Sequence, residues 1–185
     1  VGVLLVGNDY LHLGLDRLSV DIDLAYLPVQ ERSASLAAIE AALRRIAANL
    51  QKVVGGQINE AVTEGRVNKL FVHVNRVQVK IEVTPVIRGC VFPAQTRRVA
   101  PSVENAFGFA EMHLVSLPDL YAGKAVAGLD RQHPRDFFDW RDLIANEGID
   151  DELRRAFLVY MASHDRPMFE VLAPPRKDLA DRFAR

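Results

Sequence analysis

Residues 19–24 read Ser-Val-Asp-Ile-Asp-Leu. A β-strand sends successive side chains to opposite faces. Val20, Ile22 and Leu24 therefore share one face of such a strand, and Asp21 and Asp23 share the other. This pattern calls for a sheet with one face on an apolar core. Two carboxylates projecting together suit a hard divalent cation such as Mg²⁺, which takes oxygen ligands and keeps waters for a phosphate-bearing substrate. They equally suit an ordinary half-buried strand with a solvated acidic face, and a lone D-x-D is more often the latter.

A second alternation lies downstream. In residues 77–83, Val77, Val79, Ile81 and Val83 form one face, and Gln78, Lys80 and Glu82 the other. Residues 69–74 form another β-rich run, and Asn75-Arg76 between them fits a two-residue hairpin turn. Pro85 ends the second run. If this hairpin lies beside the first strand, Asp21, Asp23 and Glu82 converge on one metal site. A divalent cation would then relieve their mutual repulsion. The alternative is a solvent-facing strand with weak ion pairing between Lys80 and Glu82. Spacing alone does not choose between them.

The intervening and following segments read as helices. Leu36, Ile39, Leu43, Ile46, Ala47 and Leu50 recur at helical spacing over residues 33–50, and Gly55-Gly56 marks a turn after them. Residues 84–117 look irregular, with Pro93, Pro101 and an Arg97-Arg98 pair. Ser116 with Asp119 and Pro118 predicts a helix start, Pro134 opens a second helix that Gly148 closes, and Asp150 caps a third. The order predicts an α+β fold: a mixed-sheet core over residues 1–100, incomplete at its N-terminal end, and a helical region over 101–185. Within the helical half, Lys124, Asp136 and Asp139 form a second charged cluster. Lys124 suits a phosphate as a mobile point charge, and Asp139 suits a partner for Lys124 or a sugar. A surface salt-bridge network fits the same residues.

Composition removes several classes. The 185 residues carry a formal net charge of -1, so no global basic field draws the chain to nucleic acid. One cysteine, Cys90, excludes an internal disulfide framework and a Cys-rich zinc site. No apolar run approaches the ~20 residues of a membrane span. The opening apolar run is short for a signal-peptide core and follows no basic residues, so a soluble, cytoplasmic protein is expected. No G-x-G-x-x-G, P-loop or H-E-x-x-H occurs, and the five histidines lack metal-ligand spacing. Adjacent Ser163-His164-Asp165 do not make a hydrolytic triad, and Arg166 is the only basic residue near the aromatics of 160–169.

Taken in order, residues 15–24 (Leu-Asp-Arg-Leu-Ser-Val-Asp-Ile-Asp-Leu), 80–83 (Lys-Ile-Glu-Val), 121–127 (Tyr-Ala-Gly-Lys-Ala-Val-Ala) and 135–139 (Arg-Asp-Phe-Phe-Asp) resemble the motifs of the AbiEii/AbiGii toxin family of nucleotidyltransferases. The resemblance runs from about residue 11 to the C-terminus. It implies a polymerase-β-like nucleotidyltransferase core followed by helices. It also implies transfer of a nucleotide from a nucleoside triphosphate, with Mg²⁺ or Mn²⁺, to RNA such as tRNA or to protein. A place in a toxin–antitoxin or phage-defence pair, with a cognate antitoxin protein as partner, follows from the same resemblance. It makes Asp21, Asp23 and Glu82 the metal carboxylates and Lys80, Lys124 and Asp139 further catalytic residues. Gly7, Arg17, Ser19 and Asp136 become nucleotide-binding positions. One departure stands out. The family's Gly-Ser or Gly-Gly-Thr loop corresponds here to Gly7-Asn8-Asp9-Tyr10, which has no hydroxyl after the glycine and carries an acid. That departure motivates a second expectation, a non-catalytic member acting through protein binding. A third is a phosphohydrolase using the same carboxylates.

Overall fold

The computed structural model describes residues 3–6, 21–63, 65–83, 87 and 89–176. Gly7, Arg17 and Ser19 lie outside them. The chain forms two compact units. The first comprises Val1–Cys90 and Ala94–Val115, and the second Val91–Pro93 and Ser116–Arg185.

The first unit is a mixed sheet covered by a long helix. Its described strands are β1 (Val3–Val6), β2 (Asp21–Tyr26), β3 (Gln57–Thr63), β4 (Arg66–Val74), β5 (Val77–Val83), β6 (Gln95–Arg98) and β7 (Glu111–Leu114). They lie in the order β3-β4-β5-β2-β1-β7-β6. The Asp-bearing β2 runs parallel to β5 and antiparallel to β1. It is thus an interior strand, and its side chains have sheet neighbours on both sides.

Helix α1 (Arg32–Val54) holds no Gly or Pro, and Gly55 ends it in the left-handed region at φ 65°. Its Ile39 and Leu43 pack with Tyr26, Val67, Leu70, Val72, Ile81 and Val83. These strand residues define the core face of the sheet. The expected hairpin forms between β4 and β5, with Asn75 at φ 54° and Val74 paired with Val77. Next to it, Ala61 pairs with Lys69 and Val62 with Val67, so Asn68 is an extra residue on β4. This bulge switches the side-chain parity and lets both Val67 and Leu70 face the core. At Gly56 a Cβ would stand 2.3 Å from the His73 carbonyl oxygen, so the approach of β3 to β4 requires glycine there.

Two features depart from expectation. The stretch read as irregular holds β6, helix α2 (Pro101–Phe107) and β7. Its strands are four residues long, and β6 is the polar Gln-Thr-Arg-Arg, so period-two hydrophobicity cannot mark it. These elements join the sheet, and the division between units falls at Val115/Ser116 rather than at residue 100.

The second unit contains α3 (Leu117–Arg131), α4 (Pro134–Asn146), α5 (Asp151–Ala162) and the short α6 (Met168–Leu172). The expected starts hold in detail. The Asp119 N–H donates to the Ser116 hydroxyl at 3.1 Å, and the Leu153 N–H to the Asp150 carboxylate at 2.8 Å. Val126, Met161 and Val171 form a core with Leu129, Phe157 and Tyr160. A Cβ at Gly128 would meet the Asp136 Cβ at 3.2 Å and the Trp140 ring at 3.8 Å, which sets how closely α3 and α4 approach.

Candidate active site

The polar face of the sheet gathers most of the predicted residues of the first unit. The parallel register sets Asp21 beside Lys80 and Asp23 beside Glu82. Because α1 takes the alternate side chains, all four project from the opposite face. The Lys80 Nζ lies 3.2 Å from Asp21 Oδ2 and 2.9 Å from Glu82 Oε2. Glu82 Oε1 accepts a second cation, Lys69 Nζ of β4, at 3.0 Å. Asp23 is exposed on the same face.

These contacts set the protonation of the site. Burial of Glu82 works to raise its pKa, but the hydrogen bonds from Lys80 and Lys69 outweigh burial and hold the carboxyl below its ordinary value. The Glu82 hydrogen bond is the largest influence on Lys80, whose pKa is raised although burial opposes it. Both groups are therefore charged at neutral pH.

In the expected three-carboxylate site, Glu82 is the member already held by ion pairs. Among the described residues, no group of three or more His, Cys, Asp or Glu side chains is placed to hold a metal ion. Glu82 has a lysine on each oxygen, which already balances the charge that a metal was expected to balance. Asp21 and Asp23 remain as the oxygen-donor pair. Side by side on one strand face, with Asp23 open to solvent, they fit one or two positions of a hard cation that completes its shell with water and phosphate.

In the second unit, Lys124 of α3 donates to Asp139 Oδ2 of α4 at 2.9 Å, and both side chains are largely covered. This contact fits both readings of the charged cluster, Asp139 as a partner that orients Lys124 and a salt-bridge network. Asp136 behaves differently. It is 4% exposed, and its two oxygens accept from Arg131 Nε and Nη2 at 2.7 and 2.5 Å. This bidentate bond ties the last turn of α3 to the first turn of α4. Arg166, weighed as a base-stacking cation, pairs with Asp130 and with Glu170 at 3.5 Å.

Sequence reasoning passed over Lys69 and undervalued Asp119. Asp119 is 1% exposed and accepts the Val91 N–H (2.8 Å), the Phe92 N–H (3.0 Å), the Ser116 hydroxyl (2.6 Å) and the Tyr160 hydroxyl (3.2 Å). Nothing local signals the bonds to residues 91–92. Lys69 was within reach, because counting equally outward from Asn75-Arg76 brings it opposite Glu82.

A mixed sheet that displays an Asp pair beside a Lys–Glu pair, followed by a helical unit with a Lys–Asp pair, has the outline of a nucleotidyltransferase toxin. Residues 10–185 match the family described as nucleotidyl transferase AbiEii toxin of type IV toxin–antitoxin systems, and the chain belongs to that family. In fold it is similar to the nucleotidyltransferase toxin MenT4 of Mycobacterium tuberculosis, with a TM-score of 0.63 and 18% sequence identity. The alignment covers 95% of this chain and 64% of that one, so the chain spans under two thirds of the length of MenT4. No curated protein matches it in sequence. Among the described residues, no helix is long and apolar enough to cross a membrane.

Proposed function

We propose that the chain is a cytoplasmic, metal-dependent nucleotidyltransferase that moves a nucleotide from a nucleoside triphosphate to an acceptor, RNA such as tRNA or a protein, as the toxin of a pair with a cognate antitoxin. The observation that carries this reading is the register of β2 and β5. It sets Asp21 beside Lys80 and Asp23 beside Glu82 on the face of the sheet opposite α1.

In this reading Asp21 and Asp23 hold Mg²⁺ or Mn²⁺, which supplies charge neutralisation for the triphosphate. Lys80 lies next to Asp21 and would donate to a phosphate oxygen. Lys124, paired with Asp139 within the second unit, is the further lysine that the family resemblance assigns to the reaction. The acceptor oxygen attacks the α-phosphorus, the bond to the β-phosphate oxygen breaks, pyrophosphate leaves, and the hydroxyl proton passes to solvent. The protein's contribution is positioning and charge, which is the greater part of catalysis in phosphoryl transfer.

The test is transfer of α-labelled nucleotide to total RNA and to protein by wild type and Asp23→Ala. A fall of at least ~100-fold, with the circular dichroism spectrum kept, is expected for loss of a metal ligand. Undiminished transfer by the variant overturns the assignment. Absence of any nucleoside triphosphate binding by the wild type with Mg²⁺ present would instead favour a non-catalytic, protein-binding member of the family.

A further inference from the structure

Lys69, Glu82, Lys80 and Asp21 form a row of alternating charge across three adjacent strands, β4, β5 and β2. Glu82 sits at its centre with one ammonium on each oxygen, at 3.0 and 2.9 Å, and its side chain is only 16% exposed. Lys80 is shared in turn between Glu82 and Asp21. A half-buried carboxylate with two cations divides its pull between them. If Lys69 is removed, Lys80 is the ammonium left to it, and Lys80 is drawn towards Glu82 and away from Asp21.

We propose that Lys69 is a positioning residue of the nucleotide site: by holding Oε1 of Glu82, it leaves Lys80 free to bind a phosphate oxygen of a metal-bound triphosphate. The substrate class rests on the nucleotidyltransferase reading above; the ion-pair row does not.

Charge balance gives the proposal a signature. Asp21, Asp23 and Glu82 face two lysines, and losing Lys69 makes this face more negative by one unit. A bare divalent cation then gains, while a polyanionic triphosphate loses both field and Lys80. A purely structural role for Lys69 would weaken both ligands together.

The experiment compares wild type with Lys69→Gln, Lys69→Met and Lys69→Arg. Mn²⁺ binding alone is read by electron paramagnetic resonance. Binding of the α,β-methylene analogues of the four common nucleoside triphosphates, with Mg²⁺, is read by calorimetry. Lys69→Gln and Lys69→Met should weaken the analogue about fivefold, the scale of one partly exposed charge interaction, and leave Mn²⁺ as tight or tighter. Lys69→Arg should restore analogue binding. Wild-type affinity in both neutral variants overturns the proposal alone, as does parallel loss of metal and analogue. If the wild type binds Mn²⁺ but no analogue, the nucleotidyltransferase reading falls first and the role assigned to Lys69 falls with it.

Discussion

Glu82 gives the site its pH dependence. Its folded pKa is depressed because the lysine hydrogen bonds outweigh the opposing effect of burial. A depressed carboxylate stabilises the fold above its unfolded pKa, about 4.3, and that stability drains away as pH falls through the lower folded value. Lys80 has the opposite sign. Its pKa is raised, so its contribution is whole below the ordinary lysine range and is lost as pH rises through the folded value. Urea midpoints should therefore be level across the neutral range and fall below about pH 5. Glu82→Gln should lower neutral stability by roughly 1–2 kcal/mol, since it leaves two lysines short of a counter-charge, and should flatten the acid decline. Urea unfolding at pH 7 and pH 4 checks this, and an unchanged acid slope in the variant would exclude Glu82 as its source. At this scale much was legible in the sequence. Strict alternation placed Asp21 with Asp23 and Lys80 with Glu82, and counting outward from the two-residue turn would have given Lys69 as the partner of Glu82, though it was passed over. That β2 lies beside β5, in register, was not legible, because adjacency of parallel strands depends on tertiary packing rather than on local pattern.

The helices differ from the strands in how openly they declare themselves. Ser116, Asp150, Gly55 and the α1 stripe are local signals, and the elements start or stop where these stand. Strands β3, β6 and β7 carry no such mark. β3 and β6 are the outer strands of the sheet, polar enough to show no clean period, and β7 has four residues. The start of α3 also does something that capping alone does not require. Asp119 accepts two backbone N–H groups from residues 91–92 besides the Ser116 and Tyr160 hydroxyls, which fills its carboxylate oxygens. It fastens a distant segment of chain to the first turn of α3 and to α5. Asp119→Ala would leave buried donors without acceptors, at about 3 kcal/mol in total. The expected result is a clear fall in urea midpoint, together with faster exchange of the Val91 and Phe92 amides. Exchange at the wild-type rate would show that these amides are held by something else.

For the molecule as a whole, the sequence predicted the α+β class and a sheet followed by helices, and both appear. Where one unit ends depends on pairings that the sequence did not display. β7 pairs with β1 through Leu5 and Leu114, and β6 pairs along its length with β7. Residues 101–115 therefore complete a sheet that begins at β1, although they follow the hairpin by many residues. Val99, Ala100 and Val103 also pack with Ala110 and Met112 across the expected boundary. A fragment ending at residue 100 would strand β6 without its partner and expose that cluster, while one ending at residue 115 keeps all the described strands. Each lost strand pairing removes backbone hydrogen bonds and buried apolar contact. The longer fragment should unfold at a distinctly higher urea concentration, followed by far-ultraviolet circular dichroism, and should show the greater strand signal per residue. Both fragments lose Asp119 and its hold on residues 91–92, so that loss cancels in the comparison. Equal midpoints would mean that β6 and β7 add nothing to the stability of the sheet, and the division at Val115/Ser116 would then lack energetic meaning.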